Sequence, residues 1–241
     1  MSIFLVYAFI FFCGSLIGWI IELIFRTFFA KENKSHKLIN PGFLNGPYLP
    51  IYGFGLCCMY LMSGLDDFSF INNYILRRLV LFVLMAISMT IIEYIAGFIF
   101  TRFMKVKLWD YSNEWGNING IVCPKFSFFW AILSAVYYFF VHPRVLNGIA
   151  WLSNNLAFSF FVGFFYGVFI IDVCISFNLA VRLTKFAAEN DIVVKYERLK
   201  TEIKESLEER NRKAKFLFSF RADKPINEFL KIHLKNIREH K

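Results

Sequence analysis

The chain has 241 residues, 57% of them hydrophobic, and carries 27 Lys and Arg against 18 Asp and Glu for a net charge of +9. A mean hydropathy of +0.50 excludes an ordinary soluble domain, and 32 phenylalanines suit contact with lipid. An anionic membrane leaflet accounts for the positive charge, so no nucleic-acid partner is needed to explain it.

Apolar runs near twenty residues long match the bilayer's hydrocarbon core, which is about 30 Å thick. The predicted class is therefore an all-α, polytopic helical membrane protein, with about five spans. The first, about residues 3–25, has neither a basic leader nor a clear small-residue cleavage site, so it reads as a retained span. It ends in Gly-Trp-Ile-Ile-Glu-Leu-Ile-Phe-Arg, which sets Glu22 one turn before Arg26. Next, Asn40–Gly55 packs four glycines and three prolines into sixteen residues. Such a stretch cannot be regular helix, and its freed backbone groups must find partners in protein or water. The second span, about 49–65, is short and borders this loop, so it is expected to tilt or re-enter the membrane.

The third span, about 79–101, carries Glu93 within Thr-Ile-Ile-Glu-Tyr and runs to Arg102. After it, 108–120 mixes Trp109, Asp110, Tyr111, Asn113, Glu114, Trp115, Asn117 and Asn119. Amides and carboxylates beside aromatics suit a polar headgroup or sugar; they equally suit a hydrogen-bonded cap that closes the bundle. A short fourth span follows at about 127–141, and a fifth at 156–181 carries Asp172 ahead of Arg182. Residues 182–241 form a polar, helical tail. In it, Ile192, Tyr196, Leu199, Ile203 and Leu207 make one apolar stripe, which serves either as a short coiled-coil seam between copies or as a packing face for the loops. Further on, 212–221 interleaves basic and aromatic residues as a membrane-surface segment would, and Asp223 caps a last amphipathic helix.

Lys and Arg counts orient the chain. The 26–46 segment has four (Arg26, Lys31, Lys34, Lys37), 101–126 has four (Arg102, Lys105, Lys107, Lys125), and the chain from Arg182 onward has sixteen. The alternate loops have two (Arg77, Arg78) and one (Arg144). Basic residues stay on the cytoplasmic side. The N-terminus is then outside the plasma membrane and the tail is in the cytoplasm.

The membrane part, 1–181, contains a repeat. Asn45-Gly46 with Pro50 and Asn119-Gly120 with Pro124 share the pattern Asn-Gly-x-x-x-Pro, each after a span that bears an acid and ends in a basic turn. Two units of two spans, about 14–66 and 85–142, are expected, with the fifth span restarting the pattern. An ionised carboxylate at membrane depth costs about 2.5–3.5 kcal/mol on insertion scales. Glu22, Glu93 and Asp172 are therefore expected to face a polar, cytoplasm-facing cavity, with Asn45, Asn119 and Asp110 at its mouths, and to bind a cation, a proton or a polar headgroup. Two structural alternatives stand beside this. Glu22 can snorkel and pair with Arg26, and Glu93 and Asp172 can cap the backbone of re-entrant loops.

No P-loop, Gly-x-Ser-x-Gly or His-Glu-x-x-His motif is present. The histidines fall at predicted span edges (His36, His142) or in the tail, which argues against a histidine proton relay. The five cysteines match no zinc or heme spacing. No cofactor is implied, and no metal can be named.

The motifs "GWIIELIFR", "NPGFLNGPYLPIYGFG", "IIEY" and "LWDYSNEWGNINGIVCPKFSFFW", with "HP" at 142–143, resemble the CmpB-like, ABC-transporter type IV family of membrane proteins over roughly 14–143. That resemblance implies a permease subunit working with a separate ATPase. Transport without catalysis is the leading expectation. A membrane-embedded enzyme acting on a lipid-linked substrate, and a non-catalytic scaffold, are the alternatives.

Overall fold

A computed structural model describes residues 1–28, 38–64, 73–190, 192–196 and 198–200. The predicted coiled-coil residues Ile203 and Leu207, the basic-aromatic segment 212–221 and the helix capped by Asp223 lie outside the described residues.

The described residues are all-α apart from one pair of two-residue strands. The helices are α1 (Ile3–Phe28), α2 (Pro50–Ser63), α3 (Tyr74–Met104), α4 (Pro124–Val136), α5 (His142–Asn154) and α6 (Ser159–Glu189). Among the described residues, four stretches are long and apolar enough to cross a membrane: Ile3–Phe28, Ile75–Met104, Pro124–Asn154 and Leu156–Glu189. The predicted second span is short, as expected. At 14 residues, α2 is about 21 Å long, too short for a hydrocarbon core of about 30 Å. The fourth span is longer than expected, because the chain passes Pro143 without leaving the helix. Proline has no N–H to give the preceding turn and its ring crowds the carbonyl four residues back. The strain is taken up by a π-turn at Tyr137–Val141, immediately ahead of His142 and Pro143.

Two compact units divide the chain. The first comprises Met1–Gly18, Tyr48–Ala96 and Asp110–Ile170. Here α2 runs antiparallel to α1. Leu49 N donates to Ser15 O at 3.0 Å, Cys57 Sγ reaches Tyr7 O, and the Tyr7 and Tyr60 rings meet edge-on. The two backbones approach closely because small residues line the seam. A Cβ added at Gly18 would lie 2.2 Å from Tyr52 Cβ, and one at Gly53 would lie 2.3 Å from Ser15 Oγ. This is the small-residue packing that membrane helices use where burial of apolar surface supplies no driving force. Helices α3 and α4 also run antiparallel, from Thr90 beside Ser127 to Phe82 beside Tyr138. The core between them holds Met59, Met85, Met89, Trp130 and Tyr137.

Both short helices therefore start partway along a long one. Ser15 and Thr90 lie near the middles of α1 and α3, and α2 and α4 begin beside them. Each begins with proline in its first turn after an extended residue, Leu49 or Cys123, where the missing N–H costs nothing. Each of the two polar loops thus delivers its chain to mid-helix depth.

The second unit comprises Trp19–Pro47, Gly97–Trp109 and Ile171–Lys241. Its core is Phe43, Val106, Ala180, Leu183, Ala187, Val194, Tyr196 and Leu199. Strands β1 (Val106–Lys107) and β2 (Val194–Lys195) pair in parallel. Of the predicted apolar stripe, Tyr196 and Leu199 are buried in this core, and Ile192 packs against it.

Candidate functional site

The six residues singled out from sequence divide evenly. Glu22, Asn45 and Asp172 belong to the second unit, and Glu93, Asp110 and Asn119 to the first.

Asp172 lies near the middle of α6 and is 7% exposed. It falls nearer the helix middle than in the expected span 156–181, because α6 continues past Arg182 to Glu189. Its Oδ1 accepts from the Asn45 backbone N–H at 3.1 Å and from Asn45 Nδ2 at 2.9 Å. Oδ2 accepts from the Gly46 N–H at 2.8 Å. Ser176, one turn along the same helix, donates its hydroxyl to Oδ1 at 3.1 Å. The carboxylate thus grips the loop that leads into α2. Irregular backbone at membrane depth is tolerated only where protein satisfies it, and an ionised oxygen is a strong acceptor for buried N–H groups. The loop is braced by Asn40, whose Nδ2 donates to Leu44 O and Asn45 O, and whose Oδ1 accepts from Trp19 Nε1 at 2.6 Å.

Glu93 in α3 is 4% exposed and is held by side chains. Tyr111 donates its hydroxyl to Oε1 at 3.1 Å, and Trp130 donates Nε1 to Oε2 at 2.9 Å. Tyr111 is aimed by stacking on Phe126 of α4, with centroids 4.2 Å apart and rings 11° from parallel.

The remaining predicted residues organise their own neighbourhoods. Glu22 pairs with Arg26 at 2.8 Å, the contact their spacing allows. Asp110 accepts from the backbone and hydroxyl of Ser112, an Asx-type turn. Asn119 and Gly120 adopt φ of 55° and 68°, a left-handed pair that closes a tight turn between Ile118 and Val122. Asn119 Nδ2 also reaches Tyr94 Oη at 3.0 Å. The two Asn-Gly pairs therefore do different work: one turns the chain, the other binds an acid.

Sequence reasoning missed Tyr111, Trp130 and Ser176 as partners of the acids. Trp130 was detectable in principle, since an indole in an apolar helix needs an acceptor for its N–H. It also missed His142, which sits inside an apolar stretch rather than at an edge, with Nδ1 2.9 Å from the hydroxyl of the buried Tyr137. Among the described residues, no group of three or more His, Cys, Asp or Glu is arranged to hold a metal ion.

No curated protein and no solved structure matches the chain. The family described as "Putative ABC-transporter type IV" matches residues 9–177, a range that takes in α1 through Asp172 and both polar loops. With four long apolar helices and that match, the chain is a multi-pass membrane protein and belongs to this ABC-transporter type IV family.

Proposed function

We propose that the protein is a permease component in which the buried acids are the working groups. Asp172, and Glu93 in its own unit, hold a cation, a proton or a polar headgroup during transport, and a separate ATPase supplies the energy. The observation that carries this reading is Asp172: a carboxylate near the middle of a long apolar helix, accepting backbone N–H groups from a loop that opens a short helix. Transporters build midplane sites from discontinuous helices of this kind. Proline in the first turn of both α2 and α4 supports a two-unit duplication, 14–66 and 85–142. The Lys and Arg counts support a plasma-membrane topology with the N-terminus outside and the tail in the cytoplasm.

The test is flux into proteoliposomes, read with an entrapped pH dye for protons and with a rubidium tracer for cations. Wild type is expected to carry one of them, and Asp172→Asn and Glu93→Gln to insert normally yet lose the flux. Undiminished flux in both variants would refute the reading. A structural role for the acids has one observation on its side, since both Asp172 oxygens accept bonds from the loop. In that case the two variants lose thermal stability and flux together.

A further inference from the structure

Lys200 is a lysine 4% exposed, which needs an explanation. A buried ammonium is costly unless it is paired or hydrogen-bonded. Its Nζ donates to two carbonyls of the loop, Asn40 O at 2.7 Å and Gly42 O at 2.5 Å, and lies 4.8 Å from the centroid of the Tyr196 ring. Gly42 has a φ of 81°, a left-handed conformation that glycine adopts without strain. Tyr196 in turn donates its hydroxyl to Phe43 O at 3.4 Å and packs its ring 5.1 Å from that of Phe43. The segment that carries both residues is pinned by β2 on β1 and by the buried Val194 and Leu199.

These contacts continue to the acid. Lys200 and Tyr196 hold residues 40, 42 and 43. The Asn40 side chain holds the carbonyls of Leu44 and Asn45, and the N–H groups of Asn45 and Gly46 sit on Asp172. We infer that the segment after α6 is a latch on the Asp172 site. Lys200 and Tyr196 are positioning residues for the 40–46 loop, and release of this segment loosens the Asn45 and Gly46 N–H groups from Asp172. A partner that takes hold of the tail thereby acts on the buried carboxylate. This role in regulation rests on the proposed use of Asp172, whereas the latch itself is a matter of structure that can be measured separately.

Hydrogen exchange followed by mass spectrometry on the full chain in lipid nanodiscs reads the latch directly. Lys200→Met keeps the apolar stem and removes the donors, and Tyr196→Phe removes one hydroxyl. Lys200→Met is expected to speed exchange at Asn45 and Gly46 by at least about tenfold, as local opening does, with Tyr196→Phe changing it less and the peptides of α3 and α4 unchanged. Faster exchange confined to 192–200, or spread evenly through the helices, overturns the latch. If Lys200→Met loosens the loop but Asp172→Asn and Glu93→Gln both transport normally, the permease reading fails and the latch stands. If Asp172→Asn abolishes flux while Lys200→Met leaves the loop protected, the latch alone fails.

Discussion

Asp172 and Glu93 are both acids buried in long apolar helices, but they are held by different parts of the chain. Asp172 accepts from the main chain of a glycine- and proline-rich loop, with the Asn45 amide and Ser176 added. Glu93 accepts from two aromatic side chains, Tyr111 and Trp130. The backbone N–H groups of Asn45 and Gly46 survive any side-chain replacement other than proline, so that part of the site is lost chiefly by removing the acceptor or letting the loop go. A site made of side chains can be taken apart one donor at a time.

The largest expected effect comes from removing the first acceptor. Asp172→Ala strands the partly buried N–H groups of Asn45 and Gly46, at about 1–3 kcal/mol for each unsatisfied donor, while the Asn45 amide keeps Ser176 Oγ at 3.4 Å. A drop of roughly 2–6 kcal/mol in stability follows, read as a lower unfolding temperature in detergent together with faster exchange at Asn45 and Gly46. If Asp172→Ala unfolds no earlier than Glu93→Ala, the two acids are equivalent and the contrast is lost.

Next comes the seam beside the loop. Gly18→Ala forces a Cβ into Tyr52, whereas Gly163 and Gly167 have nothing within 4 Å. Overpacking costs typically about 1–3 kcal/mol. Gly163→Ala should instead be neutral or stabilising by up to about 1 kcal/mol, since alanine is the better helix former. Thermal unfolding of the two variants side by side checks this.

At the Glu93 site the donors should act separately. Trp130→Phe and Tyr111→Phe each remove one bond to the acid, at about 1.5–3 kcal/mol if the carboxylate is charged and nearer 1 kcal/mol if it is not. The double variant in a mutant cycle reports whether they share the acid. A coupling energy of zero would show that Tyr111 and Trp130 do not depend on one another through Glu93. The smallest effect is expected at the partly buried i,i+4 pair: Glu22→Gln should cost no more than about 0.5 kcal/mol, and that loss should shrink in high salt.

Much of this was legible from sequence. Long apolar runs with few charges can only be helices in lipid, so the all-α class, the long spans and the presence of three acids within them followed directly. Glu22 with Arg26 was legible as well, because i and i+4 meet on any helix. So was the short second span, expected at about 49–65 and found at Pro50–Ser63; the far limit of the fourth span was not, because it depends on how the chain passes Pro143. Proline opens a helix in one setting, as at Pro50 and Pro124, and follows a π-turn within an apolar stretch in another, as at Pro143. Nor did the two Asn-Gly pairs reveal that one would turn the chain and the other bind an acid, since the same dipeptide supports both.

What the sequence determined by itself is membrane residence and helical class, because both follow from composition and local periodicity. What only the tertiary structure decided is the partner of each buried group. Asp172 meets residues 126 and 127 positions away, and Lys200 reaches a loop 158 to 160 positions back. A buried carboxylate or ammonium must find hydrogen bonds, but no local rule says where, because the groups that supply them are set by how distant segments pack.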